Sequence, residues 1–315
     1  MACLASHPVL NVSTLTKYYG NFKALDSVSF TIDEGCVYGY LGPNGAGKTT
    51  TIRIMLGLLK PSQGEVQIAG ANPSKDPVHA LRSVGYASEL PVLQPFFTAE
   101  QLLDLMGRMF GLPSQIRKEK AKSLLDLVGL KEWAKKKIGS YSKGMVQRLS
   151  VAVALINDPI ILIMDEPTIG MDPEATAHFR SLFTSLSQEG KTIFISSHLL
   201  DEVQRICTHI GMINKGKIVF SGPIEQVLDA FTQRWVVEAE LEKVTENIVS
   251  SLKELESVND VRVEENKLII ELKEKKDVRG EISSEIFKKQ GVLLSLNLHK
   301  VTLEDVYFQA LKGGQ

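Results

Sequence analysis

"GPNGAGKTT", residues 42–50, decides the fold. It fits G-x-x-x-x-G-K-[ST] through Gly42, Gly47, Lys48 and Thr49, between an apolar strand-like run at 36–42 and a helical pattern at 50–59. Glycines let such a loop curl so that successive backbone N–H groups point inward, and the start of the following helix adds positive potential. Gly42, Pro43, Asn44, Gly45, Ala46, Gly47, Lys48, Thr49 and Thr50 are therefore candidate phosphate ligands. Lys48 neutralises β- and γ-phosphate charge, and the Thr49 hydroxyl is a candidate Mg²⁺ ligand.

Around this loop the chain alternates short β-branched runs with longer amphipathic patterns, which predicts α/β architecture with a parallel sheet. Strands are expected at 28–32, 36–42, 64–70, 160–164, 192–196, 210–213 and 217–220, and helices at 50–59, 144–157, 174–187 and 199–206. Two amphipathic patterns, "TAEQLLDLMGRMF" and "KEKAKSLLDLVGL", flank Gly-Leu-Pro and predict a helical insertion over about 96–157. From 233 the pattern restarts as strand-helix-strand-strand-helix-strand, with a turn at Glu265-Asn266 and a last helix in "TLEDVYFQAL". That order predicts a ferredoxin-like α+β domain at 233–315, after a first domain at 1–232.

The strand "IILIM" runs into Asp165 and Glu166. A carboxylate pair after a buried strand can be a plain helix cap. With a phosphate loop upstream it reads as catalytic, because α/β sheets bind ligands at the carboxyl ends of their strands. Asp165 is then a metal residue and Glu166 the general base for an attacking water. His198, in "ISSHLLDE", ends the next strand at the same edge and can bond the γ-phosphate or that water.

Taken together, these motifs and their chain order over about 10–225 resemble the ATP-binding subunit of ABC transporters. The resemblance implies a P-loop NTPase core with a helical insertion and an antiparallel β subdomain. It also implies ATP with Mg²⁺, and two copies closing head to tail on two ATP molecules. Tyr19 in "LTKYYG" falls where the family stacks an aromatic on adenine, with Tyr18 as the fallback. Glu89 occupies the Q-loop position in "VGYASEL", keeping an oxygen for Mg²⁺ but losing an amide donor. Asp172 in "GMD" matches the D-loop. "YSKGM", 141–145, stands where the family carries LSGGQ; Ser142 and Gly144 are kept, whereas Lys143 and Met145 depart. Ser142 and Gly144 are thus implied to clasp the ATP held by the partner copy.

The resemblance further implies the motor of an exporter, working on the inner face of the cell membrane with an integral-membrane permease on a separate chain. The alternative is a soluble ABC-type ATPase with a non-transport role such as cofactor assembly. Too few residues separate Lys48 from Asp165 for a long coiled-coil arm, and no cysteine quartet for zinc is present.

Composition agrees with a folded chain: 315 residues, 43% hydrophobic, 23% charged. A net charge of −1 gives no global basic field, so no nucleic-acid partner is expected. No apolar run nears the ~18 residues that span a bilayer, and the N-terminus lacks the pattern of a secretory signal. Cys3, Cys36 and Cys207 are expected to be reduced, mostly buried thiols.

Overall fold

The computed structural model describes residues 8–168, 173–231, 235–299, 303 and 306. They fall into two compact units, Met1–Ile224 and Glu225–Gln315. The first unit opens with β1 (Pro8–Tyr19), β2 (Phe22–Asp33), β3 (Val37–Leu41), α1 (Lys48–Met55), β4 (Gln63–Ile68), α2 (Pro77–Arg82) and β5 (Val84–Ala87). The helical insertion follows as α3 (Ala99–Met109), α4 (Ser114–Leu127) and α5 (Lys143–Leu155). The unit continues with β6 (Ile161–Asp165), α6 (Pro173–Gln188), β7 (Thr192–Ser197), α7 (Leu200–Ile206), β8 (His209–Asn214) and β9 (Lys217–Pro223), after which α8 (Ile224–Phe231) begins.

Six strands form one sheet in the order β5-β6-β7-β3-β8-β9. The first five run parallel and β9 pairs antiparallel with β8. β3, β6 and β7 are buried along their whole length, as expected of parallel strands covered on both faces. Three further strands make an antiparallel sheet, β2-β1-β4. An aromatic stack joins the two: Phe30 of β2 lies 5.4 Å from Tyr38 and 5.3 Å from Tyr40, both of β3. Tyr40 keeps its buried hydroxyl satisfied on Thr51 Oγ1 at 3.2 Å, which ties β3 to α1.

The sequence expectations shift at several places. α1 ends at Met55 rather than at residue 59, because Gly57 adopts φ 67° and closes the helix. Leu58 N–H donates to Arg53 O at 2.9 Å and Gly57 N–H to Ile54 O at 3.0 Å, the two bonds of a Schellman cap. β1 and the first half of β2 were not expected. Their ladder is broken by register shifts, and Thr14 and Ser27 sit at positive φ, so regular alternation is lost. Cys207 is a buried free thiol, as expected, but Cys36 is disulfide-bonded, contrary to expectation; Cys3 lies outside the described residues.

In the insertion, Thr98 and Gln101 form a reciprocal capping box at the start of α3. Asp104 of α3 accepts from Arg117 of α4 at 2.6 Å. α5 begins at an N-cap, Ser142, whose Oγ accepts Met145 N–H at 3.3 Å.

The second unit contains β10 (Val236–Leu241), α9 (Glu246–Lys253), β11 (Val258–Glu264), β12 (Lys267–Leu272), α10 (Arg279–Lys288) and β13 (Leu293–His299). Its sheet is antiparallel, in the order β11-β12-β10-β13. Val237, Ala239, Leu268 and Ile270 of the sheet and Ile248, Leu252, Ile282 and Ile286 of the helices form its own core. The expected last helix lies outside the described residues except for Leu303 and Val306, both buried. Among the described residues no helix is long and apolar enough to cross a membrane.

Candidate functional site

The site lies at the carboxyl edge of three adjacent strands, β6, β7 and β3. Each delivers one motif: β3 the loop at 42–50, β6 Asp165 and Glu166, and β7 the step to His198. Register brings the motifs level, since Leu41 pairs with Ser197 and Asp165 with Ser196.

The loop turns on Ala46 N–H bonding Pro43 O at 3.1 Å, and Gly47 enters α1 at φ 115°. That φ strains any residue with a Cβ, so the conformation favours glycine there, and a Cβ would also crowd Leu25 Cδ2 at 2.6 Å and Ala24 O at 3.1 Å. Lys48 then folds its side chain back over the loop. Its Nζ donates to Gly42 O at 2.7 Å and lies 3.1 Å from Glu166 Oε1. The lysine is 7% exposed, so this ammonium is held in a site largely closed to water.

Glu166 is the most constrained residue of the group. Its φ is 48°, an unfavourable left-handed conformation for a non-glycine residue. Its N–H donates to Ser196 O at 3.2 Å and Ser196 Oγ at 3.1 Å, and its second carboxylate oxygen meets His198 Nδ1 at 2.9 Å. Ser196 Oγ in turn donates to Asp165 Oδ1 at 2.5 Å. One serine hydroxyl therefore holds the Asp165 carboxylate and the Glu166 backbone together. Sequence reading passed over Ser196; its only signal was a hydroxyl two residues before His198.

A cleft of about 340 Å³ opens above these groups. It is lined by Tyr19, Phe22, Ala24, Pro43, Asn44, Gly45, Gly47, Lys48, Thr49, Thr50, Glu89, Glu166 and His198. Candidates from five separate stretches thus meet in one place. Gly42, Ala46 and Asp165 are buried and do not line it. Of the two tyrosines, Tyr19 lines the cleft, while Tyr18 lies beside Lys23 with its ring centroid 5.6 Å from Nζ. Burial, with the charges of Asp165 and Glu89 adding to it against that of Arg53, pushes the Tyr86 phenol above its usual range.

Ser142, Lys143 and Gly144 are not part of this cleft. Ser142 and Lys143 are exposed at the start of α5, whereas Met145 is buried on its inner side. Asp172 lies outside the described residues. Gln147, another buried residue that sequence reading missed, donates Nε2 to Ser88 O at 3.1 Å and so fastens α5 to the chain just before Glu89.

The lining suits a nucleoside triphosphate with a hard cation: a glycine-rich loop that opens a helix, one buried ammonium, and hydroxyl and carboxylate oxygens. Among the described residues no group of three or more His, Cys, Asp or Glu is arranged to hold a metal by itself.

Residues 25–169 match the family model described as ABC transporter. The chain is 34% identical over 308 residues to the bacitracin transport ATP-binding protein BcrA of Bacillus licheniformis, covering 97% of this chain and 98% of that one. It is 32% identical over 301 residues to the linearmycin resistance ATP-binding protein LnrL of Bacillus subtilis, covering 95% and 97%. A solved ATP-binding subunit of an ABC transporter superposes with TM-score 0.66 at 29% identity, covering 71% of this chain and 93% of that one. A dimeric ATP-binding cassette in a post-hydrolysis state with ADP and Pi superposes at 0.62 and 26% identity, covering 68% and 98%.

Proposed function

The chain belongs to the ATP-binding subunits of ABC transporters and is an ATPase motor of transport; from that premise we propose that it powers an exporter through a separate integral-membrane permease, at the inner face of the cell membrane. The bacitracin transport, linearmycin resistance and Nod factor export proteins among its relatives support export. The non-transport alternative, such as cofactor assembly, finds no support among them.

The observation that carries the mechanism is the clasp of Glu166 between Lys48 and His198 at the mouth of the loop. ATP lies with its phosphates over residues 42–50 and its base toward Tyr19. Thr49, Asp165 and Glu89 are the residues that would hold Mg²⁺, whose chemistry there is to neutralise phosphate charge. Glu166 takes a proton from water as its oxygen bonds to the γ-phosphorus. The bond from that phosphorus to the bridging oxygen breaks, and the electron pair leaves with ADP. Lys48 balances the negative charge, and His198 holds Glu166 in line through Nδ1.

Two copies are taken to close head to tail, Ser142 and Gly144 of one completing the ATP site of the other, with Asp172 at the junction. The relative solved as a dimer supports the pairing of two copies. The helical insertion at 96–157 and the Glu89 loop pass the motion to the permease. We assign 1–232 to the ATPase domain and 233–315 to an accessory domain of ferredoxin-like type, a reading that the strand order β11-β12-β10-β13 supports.

The test is co-purification from solubilised membranes, followed by ATPase assay of the complex. A hydrophobic integral partner whose presence raises turnover is expected. A wholly soluble complex would sink the transport reading.

A further inference from the structure

Phe22 is a large apolar side chain left 65% exposed inside the cleft lining. It opens β2 directly across from Tyr19, the last residue of β1, with only Gly20-Asn21 turning between them. Residues paired across an antiparallel ladder project to the same face, with Cβ atoms about 4.5–5.5 Å apart. Both aromatic side chains therefore stand on the same side of the hairpin, and both line the cleft. Ala24, two residues further along β2 and so on the same face, keeps the floor beside them low.

Tyr19 is itself steadied. Lys17 Nζ lies 5.5 Å from the ring centroid and is anchored on Lys60 O at 2.8 Å. Apart from the Tyr19 phenol, the hairpin's share of the lining carries no side chain able to read a base edge by hydrogen bonds. It offers flat apolar area, and it offers more than one ring's worth.

We propose that Phe22 is a second stacking surface for the nucleobase, so that the cleft selects purine triphosphates by stacked area rather than by base-edge hydrogen bonds. This rests on the ATP reading of the same site and adds a residue that sets its specificity. A bicyclic purine presents more stacking area to two aromatic side chains than a pyrimidine does.

The test measures equilibrium binding of ATP, GTP, CTP and inorganic triphosphate to the full chain. Phe22→Ala is expected to weaken ATP and GTP about 5- to 100-fold, the range seen when base–aromatic stacking is removed. CTP loses less, inorganic triphosphate is unchanged, and Phe22→Trp restores purine binding. Wild-type ATP affinity in Phe22→Ala, or an equal loss for inorganic triphosphate, would overturn the proposal. Lys48→Ala separates the two levels: it weakens ATP and inorganic triphosphate alike if the site reading holds. If Lys48→Ala changes neither, the ATP site itself is misplaced, and the role of Phe22 falls with it.

Discussion

Lys48 and Glu166 form a buried ion pair, Nζ to Oε1 at 3.1 Å, across the mouth of the phosphate loop. The ammonium that should meet a phosphate is already neutralised by the carboxylate that should activate water. An incoming triphosphate must therefore compete with Glu166 for Lys48. Glu166→Gln keeps the shape but weakens that competitor, since hydrogen bonds to charged groups exceed neutral ones by about 1 kcal/mol. ATP affinity should rise about fivefold, while turnover falls by roughly 10²- to 10⁴-fold with the base gone. Fluorescent-nucleotide titration beside phosphate release checks both; unchanged or weaker binding would contradict the competition.

Ser196 is a second lever on the same site, through the Asp165 carboxylate and the Glu166 backbone. Its hydroxyl donates to Asp165 at 2.5 Å and accepts the Glu166 N–H at 3.1 Å. Ser196→Ala should cost about 1–3 kcal/mol of stability through unsatisfied buried groups. Turnover should drop about 10- to 100-fold, as when a partner that orients metal-site ligands is lost. Thermal melting and a Mg²⁺ titration of ATPase activity measure the two effects. Full activity in the alanine variant would remove Ser196 from the machinery.

Gln147 links α5 to the loop bearing Glu89 through its bond to Ser88 O. Gln147→Leu fills similar space without the donor, so stability should change by no more than about 1.5 kcal/mol. Because Glu89 is then less firmly placed, half-maximal ATPase activity should require several-fold more Mg²⁺. An unaltered Mg²⁺ curve would mean that Gln147 serves packing alone.

Acid should destabilise the fold through its histidines. Burial lowers the pKa of His178, helped by the charge of Arg148, and burial lowers that of His209 against the pull of Asp33. The unfolded chain therefore binds protons more readily near the ordinary imidazole value of 6.5. Their contribution is intact above that pH, declines as pH falls through it, and levels off below the depressed folded values. Asp104 and Asp158, held below 3.8 by Arg117 and Lys191, lose theirs only in stronger acid. Melting temperature should fall between about pH 7 and 5, and less so in His178→Gln. Equal slopes for variant and parent would exclude His178.

Much of the fold was legible because its signals are local. The loop at 42–50, the strand before Asp165 and the step to His198 each declare themselves within a few residues, and one parallel sheet gathers them. β1 and the start of β2 were illegible because bulges interrupt alternation, and the early end of α1 depended on a single left-handed glycine. Ser196, Phe22 and Gln147 escaped for another reason. Each acts through a partner distant in sequence or across a turn, and a hydroxyl, a phenyl or an amide announces nothing until that partner is known.

The cap of α5 has a consequence of its own. A serine hydroxyl has one proton and two lone pairs. Ser142 spends a lone pair on Met145 N–H, which fixes the helix start, and the exposed hydroxyl still carries its proton. The same atom can therefore stabilise the fold and still donate to an anion arriving from outside. Aspartate would preserve the cap but turn an attractive end into a repulsive one; alanine would forfeit both. Only a hydroxyl lets helix initiation and anion recognition share a single oxygen.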